Sequence, residues 1–362
     1  MTADTLVSPL TRTARLPGAV RLESGATLPE VTVAYRTWGR LNAAGDNVVL
    51  VCHALTGSAD VEAWWGALVG DGRALDPSRD FIVCANALGS CYGTTGPTSP
   101  RPDTGGWWGA DFPAITIRDM VQVQKALLDT IGVTHLQLVV GGSMGGMQAL
   151  EWALVHPSFV SAIAPIAISA RHSAWCIGWS EAQRSAIAAD PRWRAGRYAP
   201  DAPPEAGLAA ARMIAMCTYR SAASFGERFD RAAGDDGAFA VEAYLARHGR
   251  SLVARFDANT YVALTRAMDT HDVGRGRGGW QRALARIQVP ALVVSIDTDV
   301  LYPVAEQQAL TAHLPGARLA TVASPHGHDG FLIEDRAVND LLGRFRADIA
   351  AGRIRQEPAC AT

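Results

Sequence analysis

The sequence predicts an α/β protein in which a mostly parallel central sheet is flanked by helices and a helical segment is inserted. Three observations predict it. Short apolar, β-rich runs alternate with helical spacing from residue 31 to residue 168. One of these runs ends in a glycine-flanked serine that opens onto a helix. The alternation then lapses and resumes only toward the C-terminal end.

Residues 31–37 alternate as a strand, and 47–52 (Asn-Val-Val-Leu-Val-Cys) are apolar on both faces, as a strand buried on two sides requires. Phe81–Ala85 is a further strand. Residues 117–131 carry an apolar stripe of Ile117, Met120, Val121, Ala126, Leu127, Leu128 and Ile131 at helical spacing, ended by Gly132. Strand 136–140 follows, then a helix over 147–155 that stops near Pro157, then a buried strand over 160–168. From about residue 171 to 280 the chain is rich in Ala and Arg, helical in spacing (206–218 and 237–250, for example), and almost free of Val/Ile runs. That is too long for a loop, so it reads as a helical lid over the sheet edge. Strand 291–296, a helix around 305–313, a strand near 318–322 and a last helix over 338–351 complete the pattern. The domain reading is one core, residues 1–170 and 281–362, with an inserted lid over 171–280. Repeats and low-complexity segments are absent.

The 362 residues are 48% hydrophobic and 19% charged, with a formal net charge of −2, an ordinary balance for a globular chain. Near-neutral charge gives no electrostatic reason to expect nucleic acid or an anionic membrane as partner. No apolar run approaches the ~20 residues that span a bilayer, and residues 1–18 lack the apolar centre of a secretory signal. Six cysteines (Cys52, Cys84, Cys91, Cys176, Cys217, Cys360) are scattered without CxxC spacing, which suggests reduced thiols and a cytoplasmic setting, with Cys52 and Cys84 in the core. Neither zinc spacing nor a Walker-type phosphate loop is present, so no metal and no permanently bound cofactor is expected.

Gly141-Gly142-Ser143-Met144-Gly145-Gly146, between strand and helix, is the nucleophile elbow of the α/β-hydrolase fold. Side chains two positions before and after the serine are expected to collide with it, and glycine removes them. The helix N-terminus beneath the serine favours developing negative charge. A serine nucleophile needs a base, and the base an orienting acid, in the chain order Ser, acid, His. Strand 291–296 runs into Asp297-Thr298-Asp299, and Ser324-Pro325-His326-Gly327-His328-Asp329 follows. Position leaves Asp297 against Asp299 and His326 against His328 open. Oxyanion-hole donors are expected at the N–H of Met144 and, in the loop His53-Ala54-Leu55-Thr56-Gly57 after an early strand, at Leu55. His53 precedes the elbow, the wrong side for a catalytic base, so it is read as shaping that loop.

The chain resembles the homoserine O-acyltransferases, most closely their acetyl-transferring branch, on motifs spread over most of its length. They include Ala34-Tyr35-Arg36-Thr37-Trp38-Gly39, the loop 53–57, Gly93-Thr94-Thr95-Gly96-Pro97, Thr116-Ile117-Arg118-Asp119-Met120 and the elbow. Thr218-Tyr219-Arg220-Ser221, Asp299-Val300-Leu301-Tyr302-Pro303 and Gly327-His328-Asp329 also match. The resemblance selects Asp299 and His328 as acid and base, and makes the insertion a lid that narrows the route to Ser143. It implies acetyl transfer from acetyl-CoA, as co-substrate, to L-homoserine through an acyl-serine, for methionine biosynthesis, in a homodimer. It places Arg212, Tyr219, Asp329 and Thr56 at the amino-acid acceptor. Arg212 and Tyr219, two helical turns apart, share a face; Arg212 suits a carboxylate and Asp329 an ammonium. Succinyl-transferring relatives tend to carry arginine where this chain has Leu301, which cannot pair a distal carboxylate, so acetyl is expected. Succinyl transfer, serine as acceptor, and hydrolysis on the same three residues are the alternatives. One departure stands out: Ser90 and Tyr92 replace the Gly and the Lys or Gln common in relatives.

Overall fold

The computed structural model describes residues 8–234 and 237–354; residues 1–7 and Cys360 lie outside them. Among the described residues ten strands form, β1 (Arg12–Arg15), β2 (Val20–Arg21), β3 (Thr27–Leu28), β4 (Thr32–Trp38), β5 (Val48–Cys52), β6 (Phe81–Ala85), β7 (Leu136–Gly142), β8 (Ile163–Ile166), β9 (Ala291–Ile296) and β10 (Ala317–Val322). Eight make the central sheet in the order β1-β4-β6-β5-β7-β8-β9-β10, while β2 and β3 pair by themselves. The pairs β1/β4 and β4/β6 are antiparallel, and every later pair is parallel. All residues of β5 and β9 are buried, because helices cover both faces of a parallel sheet. One apolar cluster fills each face, and Cys52 and Cys84 sit fully buried on opposite sides.

Helices α1 (Ile117–Thr130) and α2 (Met144–Val155) pack side by side on one face. Thr116 caps α1 in a reciprocal box with Asp119. A buried amide network joins the two helices: Trp152 Nε1 donates to Gln124, Gln124 to Gln148 at 2.7 Å, and Gln148 to the Met144 carbonyl. Buried Glu151 on α2 accepts from both Arg118 and Arg277, tying the segment just after the inserted helices to the core.

Among the elements that differ from the sequence expectation are α2 and β8. Helix α2 starts at Met144 rather than at 147, since the tight turn between β7 and the helix occupies only Ser143. Strand β8 is confined to Ile163–Ile166, because the chain turns away at Ala167 with φ 50° and Val160 makes only an isolated bridge to Leu136.

Between β8 and β9 the chain forms α3 (Ala174–Ala188), α4 (Glu205–Tyr219), α5 (Ala222–Phe229), α6 (Ala240–Val253) and α7 (Ala258–Asp269). Helix α4 packs between α3 and α6, and it also contacts the turn Gly327–Asp329. The cysteines among the described residues are free; Cys217, on α4, is exposed. Helices α8 (Val304–Ala312) and α9 (Asp335–Ala350) flank the last strands. No helix among the described residues is long and apolar enough to cross a membrane.

Candidate active site

Ser143 stands between β7 and α2 at φ 55°, ψ −126°, a backbone region that L-residues enter only under constraint. The constraint is close backbone packing. A Cβ on Gly145 would lie 2.0 Å from the Cys52 carbonyl oxygen, and one on Gly141 would lie 2.5 Å from the Gly145 carbonyl carbon. The expected collision with the serine is therefore replaced by collisions of the glycines with each other and with the end of β5. The Ser143 N–H is anchored to the Ile166 carbonyl at 2.9 Å. Met144, first residue of α2, has its N–H among those an α-helix leaves unpaired.

The structure brings Ser143, His328 and Asp299 together. His328 Nε2 lies 2.9 Å from Ser143 Oγ, and Nδ1 lies 2.7 Å from Asp299 Oδ2. A carboxylate only accepts, so the ring proton belongs on Nδ1 and leaves Nε2 free to accept from the serine hydroxyl. The other Asp299 oxygen accepts the N–H groups of Leu301 (2.8 Å) and Tyr302 (2.9 Å). All three side chains are buried. The His328 ring is packed among Tyr219, Tyr302 and Phe331, with centroids 5.7, 5.3 and 5.4 Å away. Asp297 instead accepts the Ser324 N–H at 2.9 Å, holding the loop after β10. His326 faces Ser224 at 3.4 Å, away from the serine.

His53 is fully engaged elsewhere. Its Nδ1 bonds the Ala54 carbonyl at 2.8 Å, and its Nε2 accepts the Ala87 N–H at 2.9 Å. Burial pushes its pKa down to about 4, so it is neutral. Leu55, beside it, is buried.

Beyond the Tyr219 ring that packs on His328, Arg212 on α4 lays its guanidinium over that ring, 5.4 Å from the centroid, and pairs with no carboxylate among the described residues. Asp329 lies 3.2 Å from Arg220 Nε. Burial raises the Asp329 pKa, while Arg220 and then Arg212 draw it back down. Arg220 is a site residue that sequence reasoning passed over, although it stands inside the Thr218–Ser221 motif. The same junction meets the histidine turn directly: Ser221 Oγ donates to the Pro325 carbonyl, and Gly327 (φ 65°) approaches so closely that a Cβ would lie 2.7 Å from the Ser221 nitrogen.

Tyr92 acquires an explanation here. Its hydroxyl accepts from Arg255, whose Nη1 also donates to the Thr56 carbonyl at 2.8 Å. Burial, partly offset by Arg255, pushes the Tyr92 phenol up to about 12. Nothing in the structure explains Ser90, whose buried hydroxyl has no hydrogen-bond partner among the described residues. Leu301 is buried beside Asp299, its carbonyl 3.1 Å from the Cys176 thiol on α3. Among the described residues no group of three or more His, Cys, Asp or Glu is placed to hold a metal ion.

The arrangement is a serine hydrogen-bonded to a carboxylate-oriented histidine, with two arginines, Arg212 and Arg220, from the inserted segment and one carboxylate, Asp329, from the histidine turn close by. Comparison with known proteins places it. The family described as the alpha/beta hydrolase fold matches residues 47–335. A protein named homoserine O-acetyltransferase from Trichormus variabilis is 56% identical over 353 residues, covering 97% of this chain and 98% of that protein. The solved structure titled esterase E22 aligns with TM-score 0.86 at 28% identity, covering 92% of this chain and 99% of that one. A homoserine O-acetyltransferase structure from Staphylococcus aureus aligns with TM-score 0.76 at 27% identity, covering 93% and 95%.

Proposed function

Because the chain belongs to the alpha/beta hydrolase family and, within it, to the homoserine O-acetyltransferases, we propose that it carries an acetyl group from acetyl-CoA to the hydroxyl of L-homoserine, yielding O-acetyl-L-homoserine. The observation that carries this reading is the hydrogen-bonded series Ser143–His328–Asp299, with the Tyr219 ring in contact with both His328 and Arg212 and with Asp329 next to His328 in the chain. An amino-acid acceptor is a zwitterion; Arg212, which pairs with no carboxylate among the described residues, offers the cation, and Asp329, which it would share with Arg220, the anion.

In this reading, His328 Nε2 takes the Ser143 proton as Oγ attacks the thioester carbonyl. Negative charge develops on the carbonyl oxygen and is met by the N–H groups of Leu55 and Met144. The tetrahedral species collapses, His328 gives its proton to the departing sulfur so that CoA leaves as the thiol, and an acetyl ester on Ser143 faces a neutral His328. Homoserine then binds, carboxylate toward Arg212 and ammonium toward Asp329, with Tyr219 and Thr56 lining the approach. His328 removes its hydroxyl proton, the alkoxide attacks the ester, and Ser143 is regenerated. Asp299 stabilises the imidazolium in both halves. Leu301 favours acetyl, since a succinyl carboxylate beside it would lose hydration without gaining a charge partner. The reading includes a homodimer, which rests on the resemblance, and a cytoplasmic location, which rests on the scattered cysteines.

Esterase E22 shares the fold, so the test must separate transfer from hydrolysis. Acetyl-CoA and succinyl-CoA are each offered with homoserine, serine or water, following thiol release and O-acyl product, with Ser143→Ala as control. The expected result is acetyl transfer to homoserine far above every other combination, and none from Ser143→Ala. Thiol release with water at the full rate would replace transfer by hydrolysis, and preference for succinyl-CoA would overturn the role given to Leu301.

A further inference from the structure

We propose that Arg255 is a positioning residue for the oxyanion hole, acting through the loop 53–57 and through Tyr92; the proposal rests on the acyl-serine reading above. Arg255 follows the last turn of α6, within the inserted helices, and reaches down to the core. Its Nη1 donates to two oxygens at once, the Thr56 carbonyl and the Tyr92 hydroxyl. Among the described residues it forms no ion pair with any carboxylate, in contrast to Arg118, Arg220 and Arg277. A partly buried guanidinium spent on two neutral oxygens belonging to two loops is a brace between those loops.

The brace acts on the peptide that matters. The N–H of Leu55 belongs to the same planar unit as the Ala54 carbonyl, so fixing that carbonyl fixes the direction of the N–H. On the core side, His53 Nδ1 at 2.8 Å and the Gly57 N–H at 2.9 Å both hold the Ala54 carbonyl. On the lid side, Arg255 holds the next-but-one carbonyl, Thr56. Leu55 thus lies between two anchored carbonyls.

Tyr92 completes the frame. It is buried, its ring meets Phe256 edge-on at 5.8 Å, and its own carbonyl accepts from Asn86 at 2.8 Å. Asn86 in turn accepts the Ala59 N–H at 2.7 Å, just beyond the same loop. The loop after β6 and the loop after β5 are therefore joined at three places: His53 with Ala87, Asn86 with Ala59, and Tyr92 with Thr56 through Arg255. Tyr92 serves as the second acceptor for the arginine.

A donor that serves the oxyanion serves both half-reactions, because each tetrahedral intermediate places its charge on the same two N–H groups. A residue that touches the acceptor affects only the second. Acylation is read as the burst of p-nitrophenolate from p-nitrophenyl acetate and as thiol release from acetyl-CoA; deacylation is read as transfer from the pre-formed acetyl-enzyme to homoserine. Arg255→Met is expected to slow both steps by the same factor, about 10- to 100-fold, leaving the KM for homoserine nearly unchanged. Arg255→Lys, which retains a donor for Thr56, is expected to recover part of the loss. Tyr92→Phe, which keeps the Arg255–Thr56 bond, is expected to show a smaller but equally matched slowing, and it serves where Arg255→Met does not fold. Slowing of deacylation alone would overturn the proposal and make Arg255 an acceptor contact. Unchanged rates with only a lowered Tm would overturn it in favour of a purely structural brace. Failure of the acyl-transfer reading is separate: the wild type would then acylate from p-nitrophenyl acetate yet form no O-acetylhomoserine.

Discussion

Asp297 and Asp299 leave the same strand two positions apart, and their backbone environments give them different work. Asp299 receives two N–H groups on one oxygen and presents the other to His328, whereas Asp297 spends its carboxylate on the Ser324 N–H. Asp299→Asn, able to donate where a carboxylate could only accept, favours the wrong imidazole tautomer and is expected to lower kcat by about 10³- to 10⁴-fold with little change in Tm. Asp297→Asn weakens a loop hydrogen bond and is expected to cost about 1 kcal/mol of stability while kcat stays within a few-fold. Steady-state kinetics and thermal melts on the pair separate the two roles. Sequence position left these aspartates, and the two histidines, undistinguished. What separates them is where the N–H groups of residues 301 and 302 point, a property of turn geometry with no residue-type signal.

Elements were legible where burial left a compositional trace. β5, apolar on both faces, and α1, with its stripe and its Gly132 stop, were readable nearly to the residue. β1, reading Arg-Thr-Ala-Arg, was not: an edge strand with exposed side chains needs no apolar pattern, only a neighbour to pair with. The start of α2 was also missed, because two glycines at its head read as turn whereas they are helical residues, Gly145 pressed against the Cys52 carbonyl and Gly146 against Ile168. A similar close approach sets the junction of α4 and α5 against the histidine turn. Gly327→Ala would put a methyl group 2.7 Å from the Ser221 nitrogen at a positive φ. It is expected to cost about 1–3 kcal/mol and to lower kcat, because the turn that carries His328 must move. Ser221→Ala removes the α5 cap, where Ser221 accepts the Ser224 N–H at 3.0 Å, together with the bond to Pro325. It is expected to cost about 1 kcal/mol, with a smaller effect on rate. Melting temperatures and kcat for both variants check this.

For the molecule as a whole, buried neutral histidines set a limit on the acid side. Burial pushes His53 and His271 down to about 4 and His172 down to about 3, against an unfolded value near 6.5. Between pH 6.5 and 4 the unfolded chain therefore binds protons that the folded chain refuses, so these groups lower stability as pH falls through that window. Asp257 and Asp329, raised by burial, act in the opposite sense. The difference between wild type and a variant isolates one group. His53→Gln is expected to be less stable at pH 7, and denaturant melts from pH 7 to 4 should show proton uptake on unfolding reduced by up to one. The chain order of serine, acid and histidine, and the long break in strand rhythm, were readable at this scale. The bond from Arg255 to Tyr92 was not, since residues so far apart in the chain leave no pattern between them.

Cys217 offers a way to watch the inserted helices without altering them. It is exposed, on the same helix as Arg212 and Tyr219, while Cys52, Cys84 and Cys176 are buried and Cys91 is half-buried. Partial burial raises its thiol pKa, so maleimide or iodoacetamide reagents should attach slowly at neutral pH and faster as the solution is made mildly alkaline. With Cys360 replaced by serine, a fluorophore there would sit on the face of α4 turned to solvent. Its emission would then track, in real time, how that helix responds as the serine is acetylated and then released.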